Sequence, residues 1–182
     1  MNQSTVKTEL RERFRDERVQ KFSPSNFNVI LDLPEILAAT TIASYVSYGV
    51  EPSTSEINAS FLQAGKRLLL PRVHGEVLEW IEWNGDEVQL KVAKKISEPI
   101  GRPVLDLSDI GAIVVPALRI DQEGFRLGQG GGYFDRALAE LPGWRIGLVH
   151  AFELTSETLP REVHDIALNA AATPSMVVRF NI

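Results

Sequence analysis

The chain has 182 residues, 44% hydrophobic and 24% charged, the composition of one soluble globular domain. Its 19 Lys and Arg against 24 Asp and Glu give a formal net charge of -5, which argues against a general binder of nucleic acid or acidic membrane, so any anion site must be local. The absence of cysteine excludes disulfides, a thiol nucleophile and Cys-ligated metals, and the three histidines, His74, His150 and His164, lie too far apart to form a helical metal pair.

From the N-terminus, charges begin at Lys7 without an apolar core segment, unlike a signal peptide. Val6, Leu10 and Phe14 recur at four-residue spacing and predict an amphipathic helix to about Lys21, with Lys7 and Arg11 on another face. Segment 1–21 holds six basic and four acidic residues; by itself it reads as a solvated charged helix with ion pairs at helical spacing. A second helical pattern runs from about Ser25 to Leu37, and Thr41 to Ser47 reads as a strand. Pro52, Ser53 and Thr54 signal a helix through Ala64, closed by Gly65 before a strand from Arg67 to Pro71.

Val77 to Trp83 alternates with acidic residues, and Val88 to Val92 follows after Asn84 and Gly85, which predicts a hairpin between these two segments. Trp80 and Trp83 should face opposite sides, at least one of them partly exposed. Ser97 to Leu107, with Pro99, Gly101 and Pro103, reads as an extended surface connection of the kind that carries function. Ala112 to Val115 is apolar throughout, as in a strand buried on both faces of a parallel sheet. Arg145 to Val149 and Met176 to Phe180 supply two further strands. Even the longest strongly apolar stretch, Ile110 to Leu118, cannot span a bilayer. The alternation predicts a single α/β domain over residues 1–182, three layers (α/β/α) built on a mostly parallel sheet with a small antiparallel addition.

The segment Gly124 to Leu138 reads GFRLGQGGGYFDRAL, glycines followed by a helical apolar pattern from Phe134. A glycine-rich turn opening a helix presents backbone N–H groups and the positive end of the helix dipole to a phosphate, and Arg126 can add a charged fork. The segment is not a dinucleotide fingerprint, since Tyr133 replaces the third glycine, and it lacks the Lys-Ser or Lys-Thr pair of a Walker A loop. A phosphate cradle and a plain tight turn are both open readings of the glycines. Asp135 likewise either ligates a magnesium ion riding on phosphates or favours the first helical turn electrostatically.

The string RLGQGGGYFDR resembles the signature of the 5-formyltetrahydrofolate cyclo-ligases, also called 5,10-methenyltetrahydrofolate synthetases. The resemblance continues in the family's order along nearly the whole chain: Lys7 and Arg11, GVEPST at Gly49 to Thr54, GKRLLLPRV at Gly65 to Val73, Glu98 with Pro99, VVPALRID at Val114 to Asp121, and His164 with Asp165. It implies ATP- and magnesium-dependent cyclisation of 5-formyltetrahydrofolate to 5,10-methenyltetrahydrofolate, through phosphorylation of the formyl oxygen and closure by N10. Such chemistry asks a site mainly to position reactants and stabilise phosphoryl charge.

Carried over by position, Lys7 and Arg11 meet the nucleotide phosphates. Arg126, Leu127, Gly128, Gln129, Gly130, Gly131, Gly132, Tyr133 and Phe134 form the ATP loop, with Arg126 as the catalytic cation. Asp135 holds magnesium. Glu51 matches the folate-contacting acid, suited to accept from pterin N–H groups. Val46 and Tyr133 line the same site, and Glu98 lies in the Glu-Pro connection. Where family members often carry a second magnesium-linked Asp this chain has Asn169, whose amide oxygen can still ligate but brings no charge. His164 reads as a hydrogen-bonded residue beside Asp165 rather than an acid-base catalyst. The glycine loop is expected to be exposed, so that Arg126→Ala lowers turnover far more than stability. The expected setting is the cytoplasm, as a monomer or weak homo-oligomer with ATP and 5-formyltetrahydrofolate as small-molecule partners and neither nucleic acid nor membrane. Alternatives are a non-catalytic nucleotide- or folate-binding relative, and a sugar-phosphate isomerase or acyl-transfer enzyme on a similar sheet.

Overall fold

Strands with apolar side chains on both faces need helices on both sides. The computed structural model, which describes residues 3–93 and 95–182, meets that need. Helix α1 (Gln3–Lys21) is followed by a 3-10 turn (Asn28–Ile30), α2 (Pro34–Ala38), β1 (Thr41–Ala43), α3 (Ser55–Gln63), β2 (Arg67–His74) and β3 (Val77–Glu82). Then come β4 (Leu90–Ala93), β5 (Ile96–Pro99), β6 (Ile110–Pro116), β7 (Arg119–Asp121), β8 (Arg126–Leu127) and α4 (Tyr133–Glu140). Strands β9 (Trp144–Leu148), β10 (Leu154–Thr155), β11 (Ala170–Ala172) and β12 (Val177–Arg179) complete the order.

The main sheet has seven strands in the order β12-β11-β9-β6-β1-β2-β3. Its inner pairs are parallel, and only the outer pairs, β11 with β12 and β2 with β3, are antiparallel. Side chains alternate across it as the pleat requires. Leu68, Leu70, Ala112, Val114, Ala170 and Ala172 join Phe27, Ile30, Ile36, Ile57 and Phe61 on the α2 and α3 side. Leu69, Ile113, Val115 and Ala171 join Leu138 and Leu141 beside α4 on the other. The expected three layers are present. Trp80 is buried against Phe134, while Trp83 packs partly buried on the opposite cluster.

Three local expectations are corrected. The pattern from Ser25 to Leu37 does not form one helix: the residue before a proline is driven out of the helical region, and Leu33, with ψ 135, separates the 3-10 turn from α2 at Pro34. The predicted hairpin between 77–83 and 88–92 is not made. Strand β3 pairs back onto β2, with His74 opposite Val77, through a two-residue turn in which Gly75 has φ 60, a geometry glycine accepts freely. Strand β4 instead pairs with β5, so the connection after Ser97 begins as a strand rather than a loop.

Helix α1 is not a solvated face either. Phe14 packs on Leu127 and Leu159, and Lys7 and Arg18 are both buried. Arg18 donates to Glu153 at 2.5 and 2.8 Å and to the Ala117 carbonyl at 2.5 Å. The helix thereby lies across the segments that follow β6 and β9. Among the described residues no helix is long and apolar enough to cross a membrane.

Candidate active site

In open α/β sheets ligands gather beyond the carboxyl ends of the parallel strands. Here Tyr45, Val46, Tyr48 and Glu51 come from the segment after β1, Pro71 and Val73 from β2, and Pro116 from the end of β6. Residues Gly128 to Asp135 close over them, and Arg11 with Ile96, Ser97 and Glu98 completes a cavity of about 260 Å³.

The glycine loop is built by arginines. Arg11 Nε donates to the Gly128 carbonyl at 3.1 Å, Arg15 to the Gln129 carbonyl at 2.6 Å, and Arg136 to the Gly131 carbonyl at 3.1 Å. With these carbonyls engaged, no protein acceptor among the described residues takes the N–H groups of residues 129–132. A row of free amides ahead of a helix is an anion cradle. Gly132, at φ 67, starts α4 from the left-handed region. A Cβ at Gly128 would stand 2.8 Å from the Arg126 guanidinium, so a side chain there would displace that cation.

Arg126 departs from expectation. Its side chain is 3% exposed and bonds Asp135 at 2.5 Å, so Gly130 and Gly131 of the loop are exposed while its arginine is buried. Burial pulls the guanidinium below its ordinary value, while Asp135 and Asp165 oppose that pull, and an arginine remains charged regardless. Asp135 Oδ1 accepts from Arg126.

Glu51 is held by two donors, the Tyr48 backbone N–H on Oε2 and Gln129 Nε2 on Oε1, each at 3.2 Å. Burial raises its carboxyl above the ordinary value, and these hydrogen bonds and Arg18 only partly counter it. Glu98 borders the cavity while accepting from the Val73 N–H at 3.1 Å. Tyr133 covers the loop with its ring, and Phe134 anchors α4 in both core clusters.

Three of the sequence-derived residues lie elsewhere. Leu127 is a core residue beneath α1. Lys7 does not border the cavity; its ammonium sits 2.9 Å from Asp165 and 3.6 Å from Glu162. For Asp165, burial acts to raise the carboxyl, but the bonds from Lys7 and the Glu162 N–H outweigh it and hold it below its ordinary value. The metal assignment of Asn169 is corrected. Its amide oxygen accepts from the Arg145 backbone N–H at 2.8 Å, just ahead of β11 and at the amino ends of the parallel strands, opposite the cavity. Of the carboxylates that border the cavity, Glu51, Glu98 and Asp135, Asp135 is the one that follows directly on the glycine loop, which fits a metal bound largely through phosphate oxygens and water.

Sequence reasoning missed the apolar wall: Tyr45, Tyr48, Pro71, Val73, Leu78, Ile96 and Pro116. Pro71, Val73 and Pro116 lie inside GKRLLLPRV and VVPALRID without having been read as site residues, and Tyr45, Tyr48, Leu78 and Ile96 belong to no motif. Pro116, the last residue of the parallel strand β6, carried a positional signal.

The 5-formyltetrahydrofolate cyclo-ligase family model matches residues 4–174. The chain belongs to that family. It is a family of ligase enzymes, and the 5-formyltetrahydrofolate cyclo-ligase of Escherichia coli (strain K12) is 32% identical over 170 residues, covering 88% of this chain and 92% of that one. The cyclo-ligase of Mycolicibacterium smegmatis is 31% identical over 147 residues, 76% of this chain and 75% of that one. The NMR structure of Aquifex aeolicus 5,10-methenyltetrahydrofolate synthetase superimposes with a TM-score of 0.83 at 28% identity, covering 97% of this chain and 94% of that one.

Proposed function

We propose that this member of the cyclo-ligase family converts 5-formyltetrahydrofolate and ATP to 5,10-methenyltetrahydrofolate, ADP and phosphate, with magnesium. The observation that supports this best is the convergence on one cavity of a desolvated acid, Glu51, with a glycine loop of free amides, two guanidinium groups and Asp135. The apolar wall suits the bicyclic end of a folate. At about 260 Å³ the cavity falls just under the usual range of roughly 300–1,000 Å³, so the remainder of the substrate extends outward.

In the proposed reaction the formyl oxygen attacks the γ-phosphorus and the bond to ADP breaks. N10 then attacks the activated formyl carbon, loses its proton, and the former formyl oxygen leaves within phosphate. Glu51 accepts from the pterin N–H groups and fixes the ring. The amides of residues 129–132 and Arg11 hold the phosphates. Arg126, kept in place by Asp135, stabilises charge on the transferring group; a buried, preoriented cation acts strongly because no water must reorganise around it. Asp135, together with phosphate oxygens, would hold magnesium, which would supply neutralising charge.

The test mixes purified protein with 5-formyltetrahydrofolate, magnesium and ATP and follows methenyl-folate absorbance alongside ADP. ATP-dependent product, one per ADP, is expected. Folded protein that yields none overturns the reading; tight binding of both substrates without turnover selects a non-catalytic relative.

A further inference from the structure

Four cations of α1, Lys7, Arg11, Arg15 and Arg18, recur at steps of four, four and three residues and so share one helical face. Three have partners that explain them: Lys7 binds Asp165, Arg18 binds Glu153, and Arg11 holds the Gly128 carbonyl. Arg15 is different, because it is exposed and spends its fork on a single residue. Its Nε donates to Gln129 Oε1 at 3.0 Å and its terminal nitrogen to the Gln129 backbone carbonyl at 2.6 Å.

That double contact fixes the polarity of the Gln129 amide. An amide has one accepting and one donating end. With Arg15 on the oxygen, the nitrogen must face the other way, where it meets Glu51 Oε1 at 3.2 Å. The reversed amide would set its N–H groups against a guanidinium and its oxygen against a carboxylate. The second oxygen of Glu51 is already held by the Tyr48 N–H at 3.2 Å, so the Gln129 bond completes the fixing of the carboxylate plane.

We propose that Arg15 is a positioning residue for the folate-binding acid, acting through the oriented amide of Gln129 to hold Glu51 in its receiving geometry. This rests on the assignment of Glu51 to folate made above. Because residues 129–132 also carry the phosphate-facing amides, the latch ties the loop on which the nucleotide rests to the acid on which the folate rests.

The experiment measures steady-state kinetics in both substrates, with thermal melting, for Arg15→Ala, Arg15→Lys, Gln129→Ala and Arg15→Ala/Gln129→Ala. Arg15→Ala is expected to raise KM for 5-formyltetrahydrofolate by about tenfold, the scale of one hydrogen bond to a charged group, with a smaller change in kcat and an unchanged melting temperature. Arg15→Lys, able to serve one of the two acceptors, should recover part of that loss. The double variant should be no worse for folate than Gln129→Ala alone, because Arg15 acts through that amide. An unchanged folate KM in Arg15→Ala, or additive losses in the double variant, overturns the role of Arg15 while ATP-dependent turnover by the wild-type chain leaves the proposed reaction standing. A wild-type chain without that turnover overturns both.

Discussion

The two ends of one sheet have been put to opposite uses. At the amino ends polar groups largely pair with one another: Thr41 donates to Asp109 at 2.7 Å, Arg67 reaches Asp109 and Glu82 at 3.2 and 2.8 Å, and Asn169 binds the Arg145 N–H, although the Arg145 Nε is itself buried without a partner. At the carboxyl ends the cavity borders Tyr45, whose hydroxyl is buried without a partner, Arg126, whose Nε is likewise unpartnered, and Glu51, which burial keeps above its ordinary value. Satisfied groups stabilise a fold, whereas groups left short of partners cost stability and mark places where a ligand can supply what is missing.

Removing Arg126 should break this comparison most severely. Arg126→Ala is expected to lower kcat/KM by about 100-fold or more. Against the expectation from an exposed loop, it should also cost about 2–4 kcal/mol in a denaturant melt, because it strands Asp135 beside a new cavity. Loss of activity with an unaltered melt would show that the buried pair is not structural.

Glu51→Gln should weaken 5-formyltetrahydrofolate binding by about tenfold or more and yet raise stability at neutral pH. The native carboxyl binds its proton more tightly than the unfolded one. Below the unfolded value of about 4.3 both states are protonated and the burial carries no charge penalty. As pH rises through the higher native value, charging the buried group reduces stability. Melts at pH 4 and pH 7 should therefore show a gain for the variant only at the higher pH, and a loss at both would sink this account.

Asp165→Asn gives the opposite sign. With its native value depressed, Asp165 stabilises the fold fully above the ordinary carboxylate range near 4, and this is lost as pH falls through the native value. The variant should cost about 1–3 kcal/mol at pH 7, since the buried Lys7 loses its 2.9 Å partner and keeps only Glu162 at 3.6 Å, and almost nothing in strong acid. The smallest effect belongs at the amino ends. Asn169→Asp keeps an acceptor for the Arg145 N–H, so turnover and its magnesium dependence should stay within about twofold, the scale of a few tenths of a kcal/mol. Tighter magnesium dependence would return position 169 to the site.

What could be read in the sequence was whatever is contiguous. The glycine loop, its helix and the acid in GVEPST stand in order along the chain, and the alternation of strand and helix implied three layers. The apolar wall was illegible because Tyr45, Pro71, Ile96 and Pro116 meet only through strand register. Family position named Asn169 but could not say that its amide was already committed across the sheet. The β3 pairing turned on Gly75, a signal present and passed over, whereas the turn between β4 and β5 contains Lys95 at φ 91, a left-handed residue no propensity would announce. The burial of Lys7 and Arg18 needed partners more than a hundred positions away.

Those separations have a consequence for how the protein is made. Helix α1 leaves the ribosome well before its anchors, which lie 117, 135 and 158 residues downstream, at Gly128, Glu153 and Asp165. Contacts of such high sequence separation form late, after the loops they close have been restrained by other structure. Docking of α1 is thus expected late, and because the helix carries Arg11 and Arg15, the active site cannot be completed until the chain has been made through these anchors, all of which precede β11 and β12.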